Sequence, residues 1–285
     1  MIREGHSVTS LQRPLANRAK GSGLESNLAI LETPLEKNDM VRKALTNADL
    51  IIYCAGTVKG LKLQDFEEAN VSSLENVMNV ALGVMKTPRI IYVSSLAASQ
   101  PHLSAYSESK RRGESVLRNS TGLDWIILRP TAVYGRGDKE LLPLLKLMKL
   151  GIGLSLGPLG QRLTFIHVDD CVRAITALSN NFDACKGQTF TCHDGKVGGY
   201  TWDEIWQSSR GRKPWVHLPI PLFVLRLLSR INMLGARIFR YAPMLTSGKV
   251  NEIRHDRWVC DNSDIVSRTS WKPSKDLREG VKDST

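Results

Sequence analysis

Three stretches of the chain are almost unbroken apolar runs that stop at small residues or proline: DLIIYCAG (49–56), RIIYVSS (89–95) and DWIILRP (124–130). Apolar runs of this length without polar alternation are the pattern of strands buried on both faces. Between them the periodicity turns helical over 66–85 and 104–119. Ahead of them, 7–11 and 27–31 read as short strands and 39–45 as a short helix. Strands alternating with helices predict an α/β fold with a doubly wound parallel sheet, whose ligands sit at the carboxyl ends of the strands.

Beyond Gly135 the pattern loosens. Residues 141–150 read as helix, 165–168 as a strand feeding a helix over 169–179, and 188–191 as a last short strand. Residues 200–285 read as helix and loop with joints at Pro214, Pro219, Pro221 and Pro243. The expected organisation is a sheet domain over 1–195, with 141–160 lent to a small, mostly helical substrate lobe, and that lobe with its tail over 196–285. No internal repeat or low-complexity tract interrupts it.

Composition narrows the class. With 285 residues and 42% hydrophobic content the chain can bury a large core. Its five cysteines stand singly, with no spacing that suggests a zinc site or a disulfide framework, so no metal is expected and a reducing, cytoplasmic setting fits. No run approaches about 18 uninterrupted apolar residues, and no signal-peptide pattern opens the chain. The formal charge of +11 favours anionic partners such as phosphorylated cofactors or acidic lipids. No nucleic-acid motif with interleaved aromatics is present, so no nucleic acid is expected.

Candidate chemistry centres on YSESK. Tyr106 and Lys110 are four apart on a helix and share a face. A neighbouring ammonium stabilises tyrosinate, lowering a pKa that starts near 10 and making the phenol usable as an acid or base. The spacing alone also fits a solvated helix face. Ser94 and Ser95 end a buried strand just upstream, where a hydroxyl could bond the substrate oxygen that the tyrosine protonates.

Six motifs in order resemble the extended short-chain dehydrogenase/reductases, the NAD-dependent epimerase/dehydratase family: DLIIYCAG, EEANVSSLENVMNVA, IIYVSS, YSESK, LRPTAVYGRGD and FIHVDDCVRAI. The tail SWKPSKDLREGVKDST is also similar to the family's ending. The resemblance implies a Rossmann-type sheet, with Ser95, Tyr106, Lys110 and Asn70 in the catalytic set. It implies a cofactor lined by Ala55, Gly56, Ser94, Pro130 and Val133 together with Tyr106 and Lys110. Placed on the family, MIREGHSVTSLQRP corresponds to the end of the first helix, the second strand and the turn after it. The expectation is a sheet lacking its first strand and glycine-rich loop, which as given binds dinucleotide poorly.

The cofactor is NADP or NAD. An acidic residue after the second strand usually holds the NAD ribose, whereas an arginine accommodates a 2′-phosphate; here Gln12 is followed by Arg13, with Arg18 nearby, which favours NADP. Thr33 stands where the family has an acidic residue against the adenine. Relatives acting on nucleotide sugars carry an Arg two residues before the aromatic of FIHVDD; here that position is Leu163, and Arg162 is out of register. With the short loop from Ser95 to Tyr106, this argues for a hydroxyl/carbonyl oxidoreductase acting on a small-molecule substrate. The alternatives are a nucleotide-sugar epimerase or dehydratase with retained NAD, and a non-catalytic binding or assembly subunit. A homodimer of the family's kind is also expected.

Two further stretches bear on partners. GIGLSLG (151–157) follows a helix and misses the GxGxxG spacing by one, which argues against a phosphate loop. In PLFVLRLLSRINMLGARIFRY, Arg226, Arg230, Arg237 and Arg240 fall on one side of an otherwise apolar helix. That pattern fits a membrane-surface helix or an anionic-substrate site. Mid-helix Gly235 and the family context favour a lobe helix with its apolar face packed and its basic face solvated.

Overall fold

The computed structural model describes residues 1–12, 28–36, 38–138, 140–211 and 213–284. Arg13 and Arg18 lie outside the described residues. Strands β1 (Val8–Gln12) and β2 (Leu28–Glu32) pair in parallel as a ladder of their own, followed by α1 (Asn38–Leu45). Next come β3 (Leu50–Tyr53), then α2 (Leu63–Glu67) and α3 (Ser73–Leu82), joined through a π-helical turn over Glu68–Ser72. β4 (Arg89–Val93), α4 (Ala105–Arg118) and β5 (Trp125–Pro130) complete the half that the apolar runs marked.

β6 (Ala132–Tyr134), α5 (Leu142–Lys149), β7 (Ile152–Ser155), β8 (Arg162–Leu163) and β9 (Phe165–His167) lead into α6 (Val168–Asn180), α7 (Phe182–Cys185) and β10 (Gln188–Cys192). The remainder comprises α8 (Trp202–Arg210), β11 (Val216–Pro219), α9 (Leu222–Phe239), α10 (Ser247–Arg254), β12 (Arg257–Trp258), α11 (Ser263–Thr269) and α12 (Leu277–Asp283).

The main sheet is four parallel strands in the order β10-β5-β4-β3. Its apolar runs are explained by helices on both faces. Ile90, Tyr92 and Ile127 point into a core with Val41, Leu74, Val77 and Leu117 of α1, α3 and α4. The alternate residues Ile91, Ile126 and Leu128 point into a second core with Ala174, Leu178, Phe182 and Ile265 of α6, α7 and α11. Because side chains alternate along a strand, both faces need apolar residues and the run becomes continuous.

A third core, around Tyr134, Leu145, Met148, Phe165, Trp202 and Trp206, holds the lobe beside the carboxyl ends of the strands. The tail is tied back to α6: buried Asp170 accepts from Ser274 N (3.1 Å) and Lys275 N (3.0 Å), and Asp169 pairs with Lys275 at 2.8 Å. The aspartates of FIHVDD therefore anchor the C-terminal segment.

Within GIGLSLG, Ile152–Ser155 forms β7, which pairs in parallel with β11, a strand set among prolines. One expectation changes. In α9 the apolar face is not the packed one: Leu225, Ser229 and Ala236 turn inward, while Phe223, Leu227, Ile231, Leu234 and Ile238 are exposed. The helix packs against its neighbour α10 and leaves these bulky positions outside.

Candidate active site

The carboxyl ends of β3, β4 and β5 open on a cavity of about 690 Å³. One end is lined by Cys54, Gly56 and Thr57 after β3, by Val93, Ser94 and Ser95 at β4, by Pro130 to Val133 after β5, and by Tyr106 and Lys110 of α4. The structure thus brings Gly56, Ser94, Ser95, Tyr106, Lys110, Pro130 and Val133 together at one cavity wall. Ala55 packs beneath it against the core. Arg13 lies outside the described residues, and Thr33 is buried with its N–H donating to Gln12 O at 2.8 Å.

Local capping places the central pair. Ser104 is extended at the N-cap of α4, and its hydroxyl accepts from Ser107 N at 3.0 Å, so the helix begins at Ala105. Tyr106 therefore sits in the first turn, at the cavity, and Lys110 one turn below it. The Tyr106 ring meets Phe66 edge-on at 6.3 Å. Ser95 is extended and caps the following short turn through Ala97 N (3.2 Å), and it lines the same cavity wall as Tyr106. Ser94 points the other way and donates to Glu114 at 2.6 Å.

Glu114 is a buried hub. It takes Arg129 of β5 in a two-pronged pair (2.7 and 2.5 Å) and Ser94 just past the end of β4, so it ties α4 to both strands that carry the site. Lys110 is buried and donates to Val93 O at 3.1 Å. Its Nζ also stands 5.1 Å from the Tyr92 ring centroid. Asn70, fully buried in the π-turn, accepts from Thr57 N (2.8 Å) and donates to Thr57 O (3.1 Å) and Ser109 Oγ (2.8 Å). It fixes the loop after β3 rather than touching Tyr106. Gly56 is required there, because a Cβ would come within 2.5 Å of Asn70 Oδ1 and 3.4 Å of Lys110 Nζ.

The expected lowering of the Tyr106 pKa is not met. Burial pushes it up to about 12, a shift that the Ser95 hydroxyl opposes and that the Glu252 carboxylate reinforces. Lys110 is itself pushed down to about 8 by burial, with partial relief from Cys54 and Glu114. Both groups are desolvated, and desolvation disfavours the charged form of each.

Glu252, Lys249 and Gln161 have no legible signal in the sequence, because α10 and β8 reach the site only through the tertiary fold. Glu252 of α10 is buried beside Tyr106, accepts from Ser104 and Ser107, and pairs with Lys249 at 2.8 Å. Gln161 donates to Ile253 O and His255 O at 2.7 Å each, and its buried Oε1 has no partner among the described residues.

The far end of the cavity is apolar. Leu144, Leu145, Met148, Leu163, Ile205 and Trp258 are among the side chains that line it. Arg162 turns away to Glu204 (3.5 Å). Lys110 and Lys249 are the cations lining the cavity among the described residues, and Lys249 is already paired.

These features have clear counterparts. A model described as the NAD dependent epimerase/dehydratase family matches residues 1–192, and the chain belongs to that family. It is 30% identical over 225 residues to a ceramide reductase of Caulobacter vibrioides, covering 74% of this chain and 66% of that protein's length. It is 22% identical over 267 residues to a decarboxylating sterol-4-alpha-carboxylate 3-dehydrogenase of Candida albicans, covering 83% and 75%. An epimerase of Methanothermobacter thermautotrophicus superposes with a TM-score of 0.74 at 13% identity, over 99% of this chain and 84% of the other, which shows the shared fold.

Proposed function

We propose that the chain is an NAD(P)-dependent oxidoreductase that interconverts a hydroxyl and a carbonyl on a substrate with a large apolar body. The observation that carries the substrate half is Leu163 in the cavity wall with Arg162 turned away, which leaves the distal end largely apolar and, among the described residues, with no cation for a diphosphate other than Lys249, already paired with Glu252. The relatives named as a ceramide reductase and a sterol dehydrogenase support a lipid-like substrate.

The described residues fit the reactive half of a dinucleotide. Gly56 leaves the backbone bare at the cavity, Pro130 and Val133 give an apolar wall, and the Lys110 ammonium is held beside them with one acceptor, Val93 O, among the described contacts. When bound, the dinucleotide supplies or accepts the hydride. Arg13, which follows β1, is the residue proposed to favour NADP over NAD.

The proton is the task of Tyr106. With a pKa of about 12 it is a phenol at neutral pH, set to donate to a carbonyl oxygen as that oxygen gains charge. Ser95, which lines the same wall as the phenol, supplies the second hydroxyl there and orients the substrate oxygen. Lys110, one turn away, supplies the positive charge that favours tyrosinate once its proton has left. Glu114 and Asn70 are positioning residues that keep α4 and the Thr57 loop in register.

The test is consumption of NADPH and NADH over long-chain ketones and, in parallel, chromatographic detection of UDP-sugar conversion without added dinucleotide. Turnover with the apolar ketones and none with the sugars is expected. Turnover confined to UDP-sugars, with NAD retained on purification, overturns the substrate assignment in favour of an epimerase. Dinucleotide binding without turnover of any carbonyl favours a non-catalytic subunit.

A further inference from the structure

Helix α9 carries its bulky apolar residues on the outside. Phe223, Leu227, Ile231, Leu234 and Ile238, at spacings of four, four, three and four, run down one face and are 54–70% exposed. Arg226, Arg230 and Arg237 run beside them along one flank, and all three are exposed. Leu225, Ser229 and Ala236 form the opposite, buried face. A continuous exposed apolar stripe of this size marks an interaction surface.

The charge around the stripe says what covers it. The 47 residues between Glu204 and Glu252 contain eight Lys or Arg and no Asp or Glu. A second copy laid on the same face would bring two basic flanks together. An anionic lipid surface would neutralise the flank while taking the apolar stripe into its acyl boundary. Trp215 (73% exposed) ahead of the helix and Tyr241 after it are of the residue types that settle at the headgroup level. No described helix is long and apolar enough to cross a membrane, so contact here is at the surface.

We propose that α9 docks this protein on an anionic membrane surface, with Phe223, Leu227, Ile231, Leu234 and Ile238 inserted and Arg226, Arg230 and Arg237 on the headgroups. The docking places the candidate site within reach of the bilayer. On the inner side of α9, Met233 lines a cavity of about 210 Å³ that also touches Tyr106 and Glu252. Met244 lines both that cavity and the larger one, and Asn232 of α9 holds the segment in place by donating to Leu245 O at 3.0 Å. An apolar substrate leaving the bilayer at α9 would have one helix thickness, about 10 Å, to travel. The docking itself rests on the surface of α9 and not on the role assigned to Tyr106.

The experiment is co-sedimentation of the full chain with vesicles of phosphatidylcholine alone and of phosphatidylcholine with phosphatidylglycerol. It needs no turnover, so it stands or fails apart from the catalytic reading. Two multiple variants are compared: Phe223→Ser/Leu227→Ser/Ile231→Ser, and Arg226→Glu/Arg230→Glu/Arg237→Glu. All substituted positions are exposed, and thermal melting confirms that each variant is folded.

The wild type is expected to bind the anionic vesicles at least about tenfold more tightly than the neutral ones. With about fivefold per basic residue at an anionic surface, charge reversal is expected to weaken binding by at least about 100-fold, and added salt to mimic it in part. The apolar variant is expected to lose at least about tenfold on anionic vesicles. No vesicle binding by the wild type, or binding unchanged in both variants, overturns the proposal. So does a dimer in sedimentation velocity that the serine substitutions disperse while vesicle binding is absent, since the stripe would then be a self-association face.

Discussion

Lys110 and Tyr106 lie one turn apart on α4 and line the same cavity wall, with the ammonium of Lys110 hydrogen-bonded to Val93 O at 3.1 Å and the phenol of Tyr106 at the wall that Ser95 also lines. Each is desolvated, and the two pKa values move apart: the phenol up to about 12 and the ammonium down to about 8. The site is thereby set with a neutral donor and a charge that is costly to keep.

Tyrosinate absorbance, titrated as wild type minus Tyr106→Phe without added dinucleotide, is expected to give a midpoint near 12. Because the Glu252 carboxylate adds to the upward shift, Glu252→Gln should lower that midpoint. A wild-type midpoint at or below 10 would contradict the burial argument.

Lys110 should leave a signature in stability against pH. Its folded pKa of about 8 lies below the ordinary 10.5, so the unfolded chain holds the proton more tightly. Below about pH 8 both states are protonated and the penalty is fully present, up to about 3 kcal/mol. Between about 8 and 10.5 the folded state releases the proton first, and stability rises with pH. Urea unfolding of wild type and Lys110→Met should therefore show the wild type gaining on the variant across that window; a constant difference would refute the shift.

The close approach of Gly56 to Asn70 can be isolated by a double-mutant cycle. Gly56→Ala is expected to cost about 1–3 kcal/mol through overpacking against Asn70 Oδ1. In the Asn70→Ala background that oxygen is gone, so the same substitution should cost at least about 1 kcal/mol less. Additive effects in urea unfolding would show that the clash is relieved some other way.

The parallel sheet was legible because Ile90, Ile91, Tyr92, Ile126, Ile127 and Leu128 are all buried, and only a strand covered on both faces demands that run. Tyr106, Lys110 and Ser95 were legible from helical spacing and a strand end, and Leu163 from its place before FIH. The pairing of β7 with β11 was not, since Val216–Pro219 is an exposed strand bounded by prolines and its partner is far along the chain. Glu252 was equally hidden: nothing near α10 in the sequence announces a carboxylate packed beside Tyr106. The orientation of α9 was read the wrong way round, because periodicity identifies an apolar face but only tertiary packing says whether that face turns inward. The pKa of Tyr106 differs from the expectation for a related reason: spacing shows the lysine, while burial, the largest cause of the upward shift, belongs to the folded chain.

The central claim is that Tyr106 passes the proton in a hydroxyl/carbonyl interconversion. Its most direct test is steady-state reduction of an apolar ketone by wild type and Tyr106→Phe, with dinucleotide binding followed by calorimetry in both. The kcat of the variant is expected to fall by about 100-fold or more, the usual worth of a positioned general acid, while the dinucleotide Kd changes little. Equal kcat in the two proteins would contradict it.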